Sequence, residues 1–314
     1  FFFFFAIVGY SIPKATAGQS IEHQAEAVKA VADTVLEMLA SDYNIVLTHG
    51  NGPQVGLDLR RAEIAHEREG LPLTPLANCV ADTQGGIGYL IQQALNNRLA
   101  RRGKQKAVTV VTQVEVDKND PGFANPTKPI GAFFSAVQRD ELLRVNPGWR
   151  FVEDSGRGYR RVVASPEPKR IVEAEAIKTL TQQGFVVIGA GGGGIPVVRS
   201  DQGDYQSVDA VIDKDLSTAL LAQEIRADIL VITTGVEQVC IHFGKPNQQA
   251  LDTVDVATMT RYMQEGHFPP GSMLPKIVAS LAFLERGGKR VIITTPGCLP
   301  AALRGETGTH IVHS

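Results

Sequence analysis

Two glycine-rich breaks, each following an apolar run, and lysines close to two helix starts are the residues of this chain whose types and spacing could do chemistry. In Asn44-Ile45-Val46-Leu47-Thr48-His49-Gly50-Asn51-Gly52-Pro53-Gln54-Val55-Gly56 a β-like run opens into glycine and restarts as a helix. Gly50 and Gly52 carry no Cβ, so backbone N–H groups can approach an anion, and the following helix adds the positive end of its dipole. An ordinary βα turn is the competing reading of this segment taken alone. The opening recurs in Gly184-Phe185-Val186-Val187-Ile188-Gly189-Ala190-Gly191-Gly192-Gly193-Gly194-Ile195-Pro196. Consecutive glycines lose backbone entropy on folding and pack nothing, which fits a place where a ligand lies against bare main chain. Neither loop matches the Gly-x-x-x-x-Gly-Lys-Ser/Thr pattern or the Gly-x-Gly-x-x-Gly spacing with an acidic residue further on, which disfavours a P-loop and a dinucleotide fold.

Lys214 stands between Asp213 and Asp215, directly before a helix expected over 216–227. Carboxylates suit a helix start and would hold the lysine in place. An N-capping acidic cluster beside a solvated lysine is the competing structural reading. Lys276 closes the segment Pro270-Gly271-Ser272-Met273-Leu274-Pro275-Lys276 at the start of an apolar helix. A cation is electrostatically awkward at that end of a helix, and its presence is easier to understand if a phosphate sits there. Two glycine loops with two such lysines describe a site for phosphoryl transfer, which needs in-line positioning and charge neutralisation more than a covalent nucleophile. His23, His49, His66, His242, His267, His310 and His313 fall at no metal-ligand spacing such as HExxH. No protein-built metal centre is expected, and Mg²⁺ held mainly by nucleotide phosphates is the expected metal. No Gly-x-Ser-x-Gly elbow points to a hydrolase.

These residues must be positioned by a frame, and apolar runs at 1–8, 45–48, 107–112, 185–188, 229–233 and 290–294, mostly separated by helical patterns, predict a mainly parallel sheet. Residues 20–39 place Ile21, Ala25, Val28, Val31, Val35, Leu36 and Leu39 at helical spacing, a scaffold helix. The proline-rich interval 117–168 breaks this rhythm with little periodic helix, and reads as a small inserted subdomain or lid. At 314 residues the chain allows one large α/β unit or two domains. Lys and Arg total 31 against 33 Asp and Glu, a net charge of −2, which argues against a nucleic-acid footprint or a polybasic membrane surface. Cys79, Cys240 and Cys298 lack paired spacing and read as reduced thiols of a cytoplasmic protein. The phenylalanines at 1–5 lack the flanks of a signal peptide or the length of a membrane span.

The chain resembles carbamate kinase, of the amino-acid kinase superfamily, over essentially its whole length. The resemblance rests on Thr48-His49-Gly50-Asn51-Gly52-Pro53-Gln54-Val55-Gly56, Asn125-Pro126-Thr127-Lys128-Pro129-Ile130-Gly131, Gly158-Tyr159-Arg160-Arg161-Val162-Val163-Ala164-Ser165-Pro166, and the segments 191–196, 211–215 and 271–276. It implies a three-layer α/β/α sandwich around an open, mainly parallel sheet, usually as a homodimer. The phosphoryl-acceptor part would be 1–188, with the lid at about 117–168, and the nucleotide part 189–314. The implied reaction is reversible phosphoryl transfer between ATP and carbamate, commonly run from ADP and carbamoyl phosphate toward ATP in arginine or purine-derived nitrogen catabolism. The family's catalytic lysines map onto Lys128, Lys214 and Lys276, with Asp215 orienting the last two. Phosphate and substrate contacts map onto Gly9, Gly50, Asn51, Gly52, Gly191, Gly192 and Gly193, and nucleotide contacts onto Gly235, Val236, Met273 and Lys276. One departure stands out: the family's first strand runs into Gly-Gly-Asn, but this chain reads Val8-Gly9-Tyr10, so only Gly9 is kept. The alternatives are a kinase for another small carboxylate-type acceptor, or a catalytically impaired nucleotide- or carbamoyl-phosphate-binding relative.

Overall fold

The computed structural model describes residues 4–10, 21–41, 43–52, 54–102, 106–154 and 156–313. Its frame is an eight-stranded sheet. The strands run in the spatial order Thr253–Asp255, Thr309–Val312, Arg290–Thr294, Ile229–Thr233, Phe4–Tyr10, Tyr43–His49, Val186–Ile188, Ala107–Thr109. All neighbours are parallel except Arg290–Thr294 with Thr309–Val312. A parallel sheet buried on both faces calls for near-continuous apolar strands. Ile229–Thr233 and Val186–Ile188 meet this, with every residue buried.

Period-two alternation splits those strands between two cores. Val46, Val187, Leu230, Ile232, Val291 and Ile293 face the helices Ala174–Gln182, Lys214–Glu224, Val256–Gln264 and Met273–Glu285. Ile45, Leu47, Val186, Ile188, Ile229, Val231 and Ile292 face Ile21–Ala40, Leu76–Leu99 and Leu299–Leu303. The three-layer α/β/α arrangement follows. Among the described residues no helix is long and apolar enough to cross a membrane.

The expected strands are present with shifted ends. The first runs Phe4–Tyr10, and Phe1 to Phe3 lie outside the described residues. The run expected over 107–112 stops at Thr109. Beyond it Gln84 clamps Thr112, donating Nε2 to its carbonyl at 3.0 Å and accepting its N–H on Oε1 at 2.8 Å. The strands Thr253–Asp255 and Thr309–Val312 were not foreseen; each has only three or four residues.

The interval 117–168 contains a separate antiparallel sheet in the order Lys128–Phe134, Tyr159–Val163, Arg150–Glu153. It also contains a helix, Ala136–Val145, which the expectation of little periodic helix missed. That helix buries none of its residues, so it has no apolar stripe to read. A Ser135–Gln138 capping box defines its start instead.

Candidate active site

The glycine loops and the lysines meet at the carboxyl ends of the central parallel strands, where open α/β sheets bind ligands. Tyr43–His49 leads into Gly50–Asn51–Gly52 and the helix Gln54–Glu69, as expected. Val186–Ile188 leads instead into a 3₁₀ turn, Gly191–Gly193, and then a further strand, Ile195–Arg199, so the second run offers glycine backbone without a helix dipole behind it. Gly9 pairs with Thr48 on one side and Ile232 on the other, and Tyr10 with His49, so the Val8-Gly9-Tyr10 segment ends beside the first glycine loop.

Glycine is required in the second loop by crowding. A Cβ on Gly191 would run into the His49 ring, one on Gly192 into the Asn51 side chain, and one on Gly193 into the Ile212 carbonyl. Gly192 and Gly193 also hold positive φ, at 67° and 97°. The turn is fixed from below by Ser217, whose hydroxyl donates to the Gly193 carbonyl at 2.7 Å. Asn51, 5% exposed, donates to Thr83 at 3.3 Å. Gly52 is exposed, with open space where a Cβ would stand.

The helix carrying Lys214 starts at that residue, two positions before its expected start, because Asp213 caps it. Asp213 Oδ1 accepts the amides of Asp215 at 2.9 Å and Leu216 at 3.3 Å. The acidic cluster is therefore a cap, yet Lys214 is not solvated. It lies against Gly50, with its Cδ 3.4 Å from where a Cβ would be.

Thr48 ties this helix to the neighbouring strand. Its hydroxyl is 2.7 Å from that of Thr218, which already donates to the Lys214 carbonyl at 2.6 Å, so Thr48 is the donor of the pair. Asp215 is buried, and its Oδ2 receives Lys276 Nζ at 2.6 Å, while its Oδ1 faces Lys214 Nζ at 3.8 Å. Lys128 reaches across from the smaller sheet to donate to Asp213 Oδ2 at 2.8 Å.

Three lysines against two aspartates leave the cluster with one net positive charge. Burial pushes the Lys214 ammonium below its ordinary value; Asp215 opposes this, and Lys276 and Lys128 add to it. Burial would raise Asp213, but the charge and hydrogen bond of Lys128, together with the two helix amides, hold it below the usual carboxylate range. Such a cluster is held short of full neutralisation and gains most from an incoming anion.

His49 was not foreseen as part of the site, although it immediately precedes Gly50. It is 1% exposed. Its Nδ1 lies 3.0 Å from the Gly50 carbonyl, and because a carbonyl only accepts, Nδ1 carries the proton. Burial lowers its pKa to about 4, so the ring is neutral.

The remaining expected contacts lie along the same edge of the sheet. Gly235, exposed, and Val236, partly buried, follow the strand Ile229–Thr233. Met273 is the first residue of the Lys276 helix and packs partly against the core.

An open α/β sheet whose strand ends bring half-buried lysines beside glycine loops is a frame that fits a phosphotransferase. The profile of the Amino acid kinase family matches residues 17–295. The carbamate kinase-like protein YahI of Escherichia coli (strain K12) is 88% identical over 98% of this chain and 97% of its own length. The carbamate kinase of Thermococcus kodakarensis is 46% identical over 95% of this chain and 94% of its own. The solved carbamate kinase from Giardia lamblia bound to AMP-PNP superposes with a TM-score of 0.91 at 38% identity, covering 99% of both chains. The chain belongs to the amino acid kinase family, among its carbamate kinases.

Proposed function

We propose that this kinase transfers a phosphoryl group reversibly between ATP and carbamate, with the physiological direction running from ADP and carbamoyl phosphate to ATP. The observation that carries the reading is the buried Asp215 carboxylate, which holds Lys276 and faces Lys214 beside both glycine loops. Transfer spreads charge over the phosphoryl oxygens, and preorganised cations aimed at that charge supply most of the stabilisation. Lys214 and Lys276 neutralise the oxygens, and Asp215 keeps the two ammonium groups oriented without substrate. Gly50, Asn51 and Gly52 with Gly9 receive the carbamoyl part, and Gly191, Gly192 and Gly193 line the path of the transferred group. Gly235, Val236 and Met273 contact the nucleotide. Residues 1–188 serve the acceptor and 189–314 the nucleotide, while the unit at about 117–168 acts as a lid that brings Lys128 to the site and excludes water.

A nucleotide triphosphate carries more negative charge than this cluster can balance, which supports a Mg²⁺ ion arriving with it. Both site aspartates are engaged by lysines, and among the described residues no group of three or more His, Cys, Asp or Glu is placed to hold a metal. The nucleotide phosphates would hold the ion, with Lys214 and Lys276 flanking them. When bound, it draws charge from the phosphate oxygens. We further propose a cytoplasmic homodimer working in nitrogen catabolism, on the family resemblance alone.

An acceptor panel tests the reading. With MgATP and carbamate, acetate or bicarbonate supplied separately, phosphorus NMR is expected to show carbamoyl phosphate as the favoured product. Acetyl phosphate formed at an equal or greater rate would replace carbamate with a general carboxylate acceptor.

A further inference from the structure

We propose that Gly56 and Gly131 form a main-chain seat that sets the distance of Lys128 from Asp213, which makes Gly56 a positioning residue for phosphoryl transfer. The inference rests on the role given to Lys128 above. Gly56 is buried in the first turn of the helix Gln54–Glu69, and Gly131 is in the strand Lys128–Phe134. A Cβ on Gly56 would fall on the backbone N and Cα of Gly131 and lie 3.1 Å from the Ile130 carbonyl carbon. These are backbone atoms, so no rotamer change relieves the overlap. Gly131 itself holds φ +69°, and its chain runs past Gly56 at van der Waals distance. By contrast, Gly85 and Gly86 on the helix Leu76–Leu99 have open space where a side chain would stand.

The rest of the contact keeps the seat closed. Val55 and Leu59 pack with Ile130 and Val163 in one small apolar cluster. Arg161 of the neighbouring strand donates to Glu63 of the same helix at 2.9 Å and stacks 3.8 Å over the Trp149 ring.

From the seat, Lys128 is reached through a short regular ladder, Ile130 opposite Arg161, Pro129 opposite Val162 and Lys128 opposite Val163, and the register shifts only beyond Ile130. Gly131 adjoins the end of that ladder, at the start of the irregular stretch, so a displacement there is carried to Lys128 through the paired residues 128–130. The other end of the same first turn carries the substrate loop, since the Val55 amide donates to the Asn51 carbonyl at 3.0 Å. One turn of helix thus sets the spacing between the loop at 50–52 and the lysine that descends on it. A Cβ at 56 would start 2.0 Å from the Gly131 nitrogen, so restoring ordinary contact needs a displacement of more than about 1 Å, and a misplacement of about 1 Å already lowers turnover by about 10²-fold.

The test compares Gly56→Ala, Lys128→Ala, the double variant and a Gly85→Ala control, measuring kcat and MgADP affinity for each. Gly56→Ala is expected to lower kcat at least tenfold with MgADP affinity within twofold of the parent. The double variant is expected to be no worse than Lys128→Ala alone, and the control to match the parent. Full turnover in Gly56→Ala overturns the inference, and so do losses that multiply in the double variant, because Gly56 would then act elsewhere. Full turnover in Lys128→Ala overturns the role of Lys128 itself, a distinguishable result. If Gly56→Ala does not fold, Gly131→Ala carries the test, since its methyl meets Gly56 only at ordinary contact distance and strains its own backbone. It is expected to lose at least threefold in kcat, without further loss when combined with Lys128→Ala; parental kcat or multiplied losses would overturn the seat.

Discussion

Lys276 donates to Asp215 across 2.6 Å although 61 residues separate them in the chain. The contact joins the first turns of two helices, Lys214–Glu224 and Met273–Glu285, which pack side by side beneath the sheet edge. Both lysines flanking this carboxylate are thereby held at helix starts, where an ammonium group is least at ease without an anion.

In the proposed role, Lys276→Ala would remove a cation from the transferring group, and it leaves the buried Asp215 carboxylate with Lys214 at 3.8 Å. Turnover is expected to fall by about 10²–10³-fold, with stability lower by about 3 kcal/mol and the protein still folded. Steady-state kinetics and urea unfolding check both parts. Near-parental kcat would remove Lys276 from the chemistry.

Lys214→Ala is expected to lower kcat by a similar factor of about 10²-fold and to remove the ionisable group that burial has pushed down. A lysine with a depressed pKa loses its charge as pH rises through that value, so bound phosphate should hold the charge on to higher pH. Comparing the alkaline limb of kcat/KM, which reports the free enzyme, with that of kcat shows this as a shift to higher pH in the bound state. Coincident limbs would contradict it.

Lys128 is a third exposed and pairs with a partly buried aspartate, so its loss should disturb the fold little. Lys128→Ala is expected to lower kcat at least tenfold while changing MgADP affinity less than threefold, the pattern of a contact made only in the transition state. Calorimetric titration of MgADP beside kinetics checks this split. Equal losses would place Lys128 in the nucleotide pocket.

His49 gives the fold a pH dependence of definite sign. Its pKa falls from 6.5 to about 4 on burial, so its contribution is fully present above pH 6.5 and is lost as pH falls through that window. The loss amounts to about 3 kcal/mol once the pH lies below both values. His49→Asn keeps a donor for the Gly50 carbonyl but cannot titrate. Denaturant unfolding from pH 7 to 4 is therefore expected to show a shallower decline in the variant than in the parent, and identical slopes would contradict the assignment.

The sheet was legible because a doubly buried parallel strand must be nearly continuously apolar, as Ile229 to Ile232 are. Positions 45–48 and 290–294 were readable for the same reason. The helix Ala136–Val145 was not, since a helix that buries nothing leaves no stripe. The site was visible in its glycines and lysines, residues that are expensive in folding terms, although at 191–193 it is crowding by His49, Asn51 and Ile212 that requires glycine. Partnerships were hidden: nothing in the sequence says that Asp213 serves Lys128 or that His49 sits under Gly191, because these pairings exist only after distant segments meet. The signal that could have found His49 was its place between a buried strand and Gly50, and for Asp213 its position at a helix cap. The requirement for glycine at 56 and 131 was equally out of reach, since crowding by another segment leaves no local pattern.

The central claim is tested most directly by the initial rate of ATP formation from MgADP and carbamoyl phosphate, using protein whose mass confirms Val8-Gly9-Tyr10. The expected result is saturable ATP formation within the range of ordinary kinases, about 1–100 turnovers per second, and about 10²–10³-fold slower in Lys276→Ala. Tight MgADP binding without ATP formation would contradict it, and would identify a binding protein, or a kinase for another acceptor, built on this frame.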